Sequence, residues 1–290
     1  MISAYLIHVA IIICIDLVLA LSLQISIGYA GLLNFGHIAF FGIGAYTSAL
    51  LTMQGVPWII ALLCAGIIPM FFAYLLSIPT NRLKGDYLAL ATMGFSFVIY
   101  ALMLNWNSLT KGPLGIPGIT KPIIFGLKIS NNLSFLILAL VITGLTYSIL
   151  HKIVKSPFGN LLQATRDDED AAKALGKNTF KIKTIGLMIS AFFAGIAGSL
   201  YAHYITFIDP SSFAMMMIIP IVCMIIIGGL ASLKGTFFAT IILVIIPEIL
   251  RFVGMPSSIL GPARQIIYAL ILIIILIYQP KGFFGKVVLN

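Results

Sequence analysis

The chain has 290 residues, of which 61% are hydrophobic and 9% are charged. A soluble globular domain carries about 25% charged residues, so this composition indicates a membrane protein, which we take as one transmembrane domain over residues 1–290. In a membrane protein, the net charge of +9 indicates basic residues that contact lipid headgroups and orient the spans in the membrane. We therefore expect no nucleic-acid partner. The three cysteines lie in apolar runs without metal-ligand spacing, which predicts neither a disulfide framework nor a metal site.

Apolar stretches long enough to cross a bilayer recur along the whole chain. A crossing needs about 20 apolar residues, so we predict an all-α, polytopic bundle of about 8–10 transmembrane helices with broken helices. The candidate spans are roughly 4–24, 37–54, 57–79, 86–106, 133–151, 184–205, 214–231, 235–250 and 264–279.

The basic residues predict which ends of the spans face the cytoplasm. They place the Gly- and Pro-rich loop 107–132 outside, as an ordered cap, and the C-terminus inside. The N-terminus has no charged side chain to place it, so nine spans starting outside and ten starting inside both stay open. The cytoplasmic positions are Arg82 and Lys84, the loop 152–183, and Lys281 with Lys286.

Two glycine-bracketed runs interrupt the apolar pattern, GYAGLLNFGH at 28–37 and GGLASLKG at 228–235. Short interrupted segments in corresponding places of two halves are typical of internally repeated transporters, with unwound backbone near the substrate path. The alternative is two tight interhelical turns without a functional role. On the first interpretation the substrate path is lined by Gly28, Gly31, Asn34, Gly36, His37, Gly228, Gly229 and Ser232.

Ionisable residues inside the apolar spans are few. Asp16 lies in the middle of the first span, where a charged side chain is costly and therefore suggests a function. Asp16 keeps open a proton-coupled secondary carrier, although hydrogen bonding to a neighbouring helix is the simpler explanation. No span carries a series of carboxylates suited to a proton relay. A membrane scaffold without transport activity is a further alternative. Glu248 and Arg251 are spaced to pair with each other.

The segment from Lys155 to Lys183 is the one long water-facing stretch, and it holds the acidic run 167–170. We predict a short helix in it, started by Asp167 or Asp168 and stopped by Gly176. Such a helix suits insertion into another protein, whereas the alternative is an ordinary solvated loop. The predicted docking residues are Arg166, Asp167, Asp168, Glu169, Ala171, Ala172, Ala174, Leu175 and Gly176.

The chain shows no catalytic constellation. GYAGLLNFG lacks the GK[ST] ending of a phosphate loop, and HExxH and CxxC are absent. We therefore expect a membrane transport subunit rather than an enzyme, with no catalytic residues and no cofactor bound by this chain. Energy for uphill transport would come from a partner.

Several blocks together resemble the permease subunits of ATP-binding-cassette importers for branched-chain amino acids, of the LivM type. The resemblance covers nearly the whole chain. The chain departs from the family pattern at single positions, which are Ser96-Phe97, Lys111 and Asp170. The matching blocks are GYAGLLNFGHIAFFGIGAY (28–46), RLKGDYLALATMGF (82–95), TKGPLGIPGI (110–119), SPFGNLLQATRDDEDAAKALGKN (156–178), SAFFAGIAGSLYA (190–202) and GGLASLKG (228–235).

The resemblance implies a multi-pass protein of the cell membrane that forms half of a translocation pathway. In this family the 156–178 block is the cytoplasmic loop that docks into the ATPase. The implied partners are two ABC ATPase subunits, which bind ATP and Mg, a homologous second permease and an extracytoplasmic substrate-binding protein. Because the family also includes urea and short-chain amide permeases, these substrates are the alternative to branched-chain amino acids.

Overall fold

The computed structural model describes residues 2–80, 83, 85–124, 127–129, 131–252, 257–279 and 282–285. Almost all of the described chain is helical. The helices are α1 Ile2–Gln24, α2 His37–Met53, α3 Trp58–Thr80, α4 Asp86–Asn105, α5 Asn107–Thr110, α6 Asn132–Lys155, α7 Pro157–Asp167, α8 Glu169–Ala174, α9 Thr179–Ile205, α10 Ile218–Gly228, α11 Leu233–Phe252 and α12 Ser257–Tyr278.

Each predicted span falls on one of these helices, so the prediction of a polytopic helical bundle is confirmed. By length and composition, α1, α3, α4, α6 and α9 can each cross a membrane. Helix α2 and parts of α10 and α12 are shorter apolar segments. Helices α3, α4 and α6 expose rows of large apolar side chains outward, as a lipid-facing surface requires.

The bundle has two distinct ends, because consecutive long helices run in opposite directions. At one end, α7 packs against α9 and against the segment that follows α1. We call this the α7–α8 end. Phe283 and Phe284 lie there too, donating backbone hydrogen bonds to the last carbonyls of α10. At the opposite end, the start of α1 meets other helices through His8, which hydrogen-bonds Tyr204 at 2.6 Å.

The described residues of the segment 107–132 lie at the opposite end, where they take part in two short strand pairs. Strand β1 (Ile116–Pro117) pairs antiparallel with β4 (Phe207–Ile208). Strand β2 (Ile123–Ile124) pairs with β3 (Leu127–Lys128). The Thr120 carbonyl also lies 2.7 Å from Nδ1 of His203. These contacts tie the cap to α9.

Several residues of the sequence-based predictions lie outside the described part of the chain. Arg82, Lys84, Lys281 and Lys286, which carried part of the orientation argument, are among them. The side chain of Arg251 is another, so the predicted pair with Glu248 is not tested. Glu248 accepts a hydrogen bond from the Tyr5 hydroxyl near the start of α1.

Helix α9 forms the centre of the bundle, packed between α2 and α3. The small residues that the sequence places along α2 and α9 lie at these contacts. A methyl group added to Gly195 would lie 1.8 Å from the Ala65 carbonyl oxygen, so α3 and α9 meet backbone to backbone. Ser48 and Ser199 hydrogen-bond each other across α2 and α9 at 2.7 Å.

Replacing Gly195 with alanine should therefore destabilise the bundle. Overpacking of a tight contact costs about 1–3 kcal/mol, which predicts a lower midpoint of thermal unfolding in detergent. Gly94→Ala in α4 is the matched control, because a methyl group there meets nothing within 4 Å. An unchanged midpoint for Gly195→Ala would contradict the close α3–α9 contact.

Candidate functional site

The break after α1 is a change of helix type followed by extended chain. The last turn, Ile25–Tyr29, is a π-helix, and the backbone then leaves the helix until α2 starts at His37. π-Helical turns occur frequently at functional sites. Leaving the helix frees peptide groups that must find other partners in a membrane protein. Two of them pair locally, since Leu32 N donates to the Ser26 carbonyl at 2.9 Å.

The two predicted breaks meet each other. Gln24, buried at the end of α1, donates its amide hydrogen to the Gly229 carbonyl at 2.9 Å. A methyl group on Gly28 would lie 2.8 Å from the Ala231 backbone nitrogen. Ala231 itself has a left-handed backbone with φ of 60°. The structure thus brings the first break together with the turn between α10 and α11, which contains Gly228, Gly229 and Ser232.

Gln24 was missed by the sequence reasoning, although a signal was present. It is an amide in a largely apolar span, four residues before the glycine-bracketed run that starts at Gly28. A polar residue at membrane depth is costly and usually has a specific partner.

His37 is fully buried and well hydrogen-bonded at the first residue of α2. Its Nε2 lies 2.9 Å from the Ser22 hydroxyl and 3.2 Å from the Leu19 carbonyl. Its Nδ1 lies 3.5 Å from the Ser190 hydroxyl. In this conformation His37 therefore joins α1, α2 and α9 and offers no free group to a substrate.

Asn34 is different, because its side-chain amide is fully buried and neither its oxygen nor its nitrogen has a hydrogen-bond partner. It lines a cavity of about 20 Å³ with hydroxyl-bearing residues of α3, α4 and α9. That volume suits about one water molecule. The neighbouring hydroxyls are those of Ser77, Thr80, Thr92 and Thr184.

Most of these hydroxyls donate their hydrogens elsewhere. Thr80 donates to the Leu76 carbonyl at 2.7 Å and Ser77 to the Tyr74 carbonyl at 2.7 Å. Thr92 donates toward the Leu33 carbonyl at 3.1 Å. The Ser77 oxygen already accepts from the Thr184 hydroxyl at 3.2 Å, and the Thr92 oxygen accepts from the Phe35 backbone nitrogen at 3.1 Å. Each hydroxyl oxygen keeps one further acceptor position, so the cavity can still receive a hydrogen-bond donor. A buried amide without a protein partner requires an explanation, and a bound water, a ligand group or a second conformation would supply one.

A wider groove of about 320 Å³ opens beneath this cavity at the α7–α8 end. Its walls are the exposed Gly31 of the break, the start of α4, and residues 165–170. Leu32, Leu83 and Leu88 line both the groove and the small cavity. These leucines therefore lie between the two spaces.

The water-facing segment contains two helices where the sequence predicted one. The missed helix is α7, whose start is capped by the Ser156 hydroxyl with Pro157 in its first turn. Phe158, Leu161 and Leu162 follow at helical spacing and pack against the bundle. That spacing after a Ser-Pro pair was the available signal.

The predicted short helix is α8, and its ends are as expected. The Asp168 carboxylate accepts hydrogen bonds from the Asp170 and Ala171 backbone nitrogens. Gly176 has a φ of 72°. Gly176 N donates to the Lys173 carbonyl and Lys177 N to the Ala172 carbonyl, the pattern of a Schellman motif.

The predicted docking residues do not all face the same way. Ala171, Ala174 and Gly176 are exposed, as is Leu175, whose exposed fraction of 77% is high for a leucine. Asp167, Asp168 and Asp170 are also exposed. Ala172 is buried against the bundle. The Arg166 side chain has only 13% of its surface exposed and points inward.

Arg166 connects α7 to the break. Its Nη1 donates to the Gly28 carbonyl at 2.5 Å, while Nη2 pairs with the Asp167 carboxylate at 2.7 Å. Its Cγ would lie 2.6 Å from a methyl group on Gly31. The Arg166 side chain therefore passes over the break through space that is free because Gly31 has no side chain.

Glu169 connects α8 to the start of α9. Its carboxylate pairs with Lys183 at 2.5 Å and with Lys173, the predicted partner, at 3.0 Å. Partial burial acts to raise the pKa of Glu169. Hydrogen bonds from Lys183 and Lys173 outweigh it and lower that pKa from 4.5 to about 2. The pair is thus ionised at neutral pH.

Asp16 lies half-buried in the middle of α1, and within the described part of the chain its carboxylate has no hydrogen bond or ion pair. The expected hydrogen bond to a neighbouring helix is therefore not present. Among the described residues, no three His, Cys, Asp or Glu side chains are grouped to hold a metal ion.

Comparisons with known proteins agree on one family. Residues 4–277 match the family model described as branched-chain amino acid transport system, permease component. The chain is 32% identical over 97% of its length to the high-affinity branched-chain amino acid transport system permease protein LivM of Escherichia coli, covering 70% of that protein. It is 30% identical to LivM of Salmonella typhimurium with the same coverage.

A more distant relative is the probable branched-chain amino acid transport permease protein LivM of Methanocaldococcus jannaschii. It is 25% identical over 91% of this chain and 89% of its own length. No solved structure matches the chain.

The ion pair between Glu169 and Lys183 should be sensitive to acid. Because the pKa of Glu169 falls from 4.5 to about 2 on folding, the pair is fully present above pH 4.5 and is lost as the pH falls toward 2. A nitroxide at Leu175→Cys, in a chain without the native cysteines, should become more mobile over this range. In the Glu169→Gln variant, the nitroxide at position 175 should be equally mobile at neutral and acidic pH. Identical pH profiles for the two proteins would contradict the assignment.

Proposed function

Because the chain belongs to the permease component family of branched-chain amino acid transport systems, we propose that it forms half of the translocation path of an ATP-driven importer for these amino acids. The chain is a multi-pass membrane permease subunit, as its relatives and its apolar helices show. The exposed helix α8, attached to the same end of the bundle as the break, carries the proposal. It offers an ATPase a place to act close to the candidate path.

We propose that ATPase subunits dock on the exposed face of α8. Ala171 and Ala174 let a partner approach closely, and the exposed Leu175 offers an apolar side chain that binding would bury. Docking shifts the permease between conformations only if the ATPase binds one of them more tightly than the other. Residues 165–170 also wall the groove beneath the break, so movement of this segment changes that groove.

We propose that the substrate path passes the first break. The strongest support is Asn34, whose buried amide lacks a partner among hydroxyls that can accept hydrogen bonds. An amino acid carries an ammonium group that donates hydrogen bonds, and a cavity of about 20 Å³ is too small for it in this conformation. The path would therefore open there only when Leu32, Leu83 and Leu88 separate.

The remaining assembly follows from the family. We propose two ABC ATPase subunits that bind ATP and Mg, a homologous second permease, and an extracytoplasmic binding protein that delivers the substrate. This chain itself needs no cofactor. We propose that the α7–α8 end faces the cytoplasm. The hydrogen bonds of Phe283 and Phe284 to the last carbonyls of α10, at that end, support a cytoplasmic C-terminal region.

A bulky charge on the exposed face of α8 should prevent docking. A central interface contact is worth about 2 kcal/mol or more, roughly a thirtyfold loss of affinity. Ala171→Arg should accordingly lower substrate-stimulated ATP hydrolysis and uptake in a reconstituted complex, with the permease still folded. Ala164→Arg is the matched control, because it places the same side chain on an exposed site of α7. Normal coupling in the Ala171→Arg complex would show that α8 is not the docking helix.

The unpartnered amide of Asn34 allows a separate test of the path. Replacing a buried unsatisfied polar group with an apolar one of similar shape relieves about 1–3 kcal/mol. Asn34→Leu should raise the thermal stability of the permease in detergent and lower uptake. Ser96→Ala, which removes another buried hydroxyl without a partner, should leave uptake unchanged. Normal uptake by Asn34→Leu would place the path elsewhere.

A further inference from the structure

We infer that Arg166 is a positioning residue that transmits movement of the α7–α8 segment to the broken end of α1, rather than part of the docking surface. This inference rests on the proposed function, since it requires that an ATPase moves α7–α8. The sequence position of Arg166 predicts contact with the ATPase, whereas its side chain contacts the break inside the permease.

The contact is made to a peptide group that the break has freed. The chain leaves the helix at Ala30, so the Gly28 carbonyl lacks the donor that a continuing helix would supply. Arg166 Nη1 provides it at 2.5 Å. A hydrogen bond from a charged donor is roughly twice as strong as a neutral one, and an unpaired carbonyl at this depth would be costly.

The packing around this contact leaves Arg166 little freedom. A methyl group on Gly31 would meet its Cγ at 2.6 Å and its Cβ at 3.2 Å. Gly31 also has a φ of 67°, which favours glycine. The guanidinium group is held from the other side by Asp167 at 2.7 Å. A displacement of α7 therefore moves the Gly28–Leu32 stretch with it.

The stretch held by Arg166 includes the residue that closes the small cavity. Leu32 follows Gly31 directly and, with Leu83 and Leu88, separates the groove from the Asn34 cavity. Lys183, which binds Glu169 of α8 at 2.5 Å, lines both spaces as well. Arg166 of α7 binds the break and Glu169 of α8 binds Lys183 of α9. The segment is thus attached to two walls of the same passage. Moving α7–α8 through both contacts changes the distance between these walls.

The experiment compares transport with ATP hydrolysis in complexes purified with their ATPase subunits. Arg166→Gln keeps a polar side chain but loses the charge and the reach to Gly28. We expect the ratio of substrate transported to ATP hydrolysed to fall roughly tenfold or more, equivalent to about 1.4 kcal/mol of lost coupling. ATPase subunits should bind as in the unmodified complex. Arg166→Lys, which still carries a donor and the charge, should recover part of the ratio.

Gly31→Ala is the second variant, because its added methyl group displaces the Arg166 side chain while the sequence of the α7–α8 segment stays the same. It should also lower the ratio. Lys155→Gln removes an exposed positive charge at the same end and should leave the ratio unchanged. The ratio distinguishes transmission from a loss of folded protein, which lowers transport and hydrolysis in proportion.

The inference would be overturned if the ratio of transport to ATP hydrolysis were unchanged in Arg166→Gln or Gly31→Ala, whichever of them assembles. It would also be overturned if transport and hydrolysis fell in proportion in both variants. Failure of the proposed function has a different signature. In that case ATPase subunits would not bind the unmodified permease at all.

Discussion

The arrangement of this permease depends on how the peptide groups at the break in α1 are satisfied. Inside a membrane a freed carbonyl needs a partner from the protein or from a water-filled cavity, and a helix break without one is costly. Arg166 binds the Gly28 carbonyl from α7, and Gln24 binds the Gly229 carbonyl of the second break. These two hydrogen bonds hold the interrupted segments against each other. The Arg166 hydrogen bond also attaches the break to the α7–α8 segment.

The rest of the bundle is built to be stiff around this point. Helix α9 lies against α2 and α3 with glycines at the contacts, and His37 and the Ser48–Ser199 pair add buried hydrogen bonds between helices. Asn34 stands apart, as a buried amide without a partner next to a passage closed by leucines. A rigid frame with an unsatisfied amide beside its passage fits a gate operated from outside the bundle. On the proposed path, the amide would meet a substrate group when the leucines separate.

The sequence was informative where local chemistry decides the structure. Apolar runs located the spans, while Asp168 and Gly176 located both ends of α8, because capping depends on a few neighbouring residues. Helix α7 was missed, since its apolar face is short and its partners on α9 lie far away in the chain. The inward direction of Arg166 depends on its contact with Gly28, 138 positions earlier in the chain, whereas charge alone suggested a surface residue. The unpartnered state of Asn34 follows from packing by three helices, which no local pattern records.

The central claim is that an ATPase grips the exposed face of α8, and site-specific photocrosslinking tests it most directly. A photoreactive side chain would replace Leu175 on α8 in one protein and Leu114 at the opposite end in another; both positions are exposed, by 77% and 83%. In membranes containing the assembled transporter, the account predicts a crosslink from position 175 to an ATP-hydrolysing subunit and none from position 114. A crosslink to that subunit from position 114, or none from position 175, would contradict it.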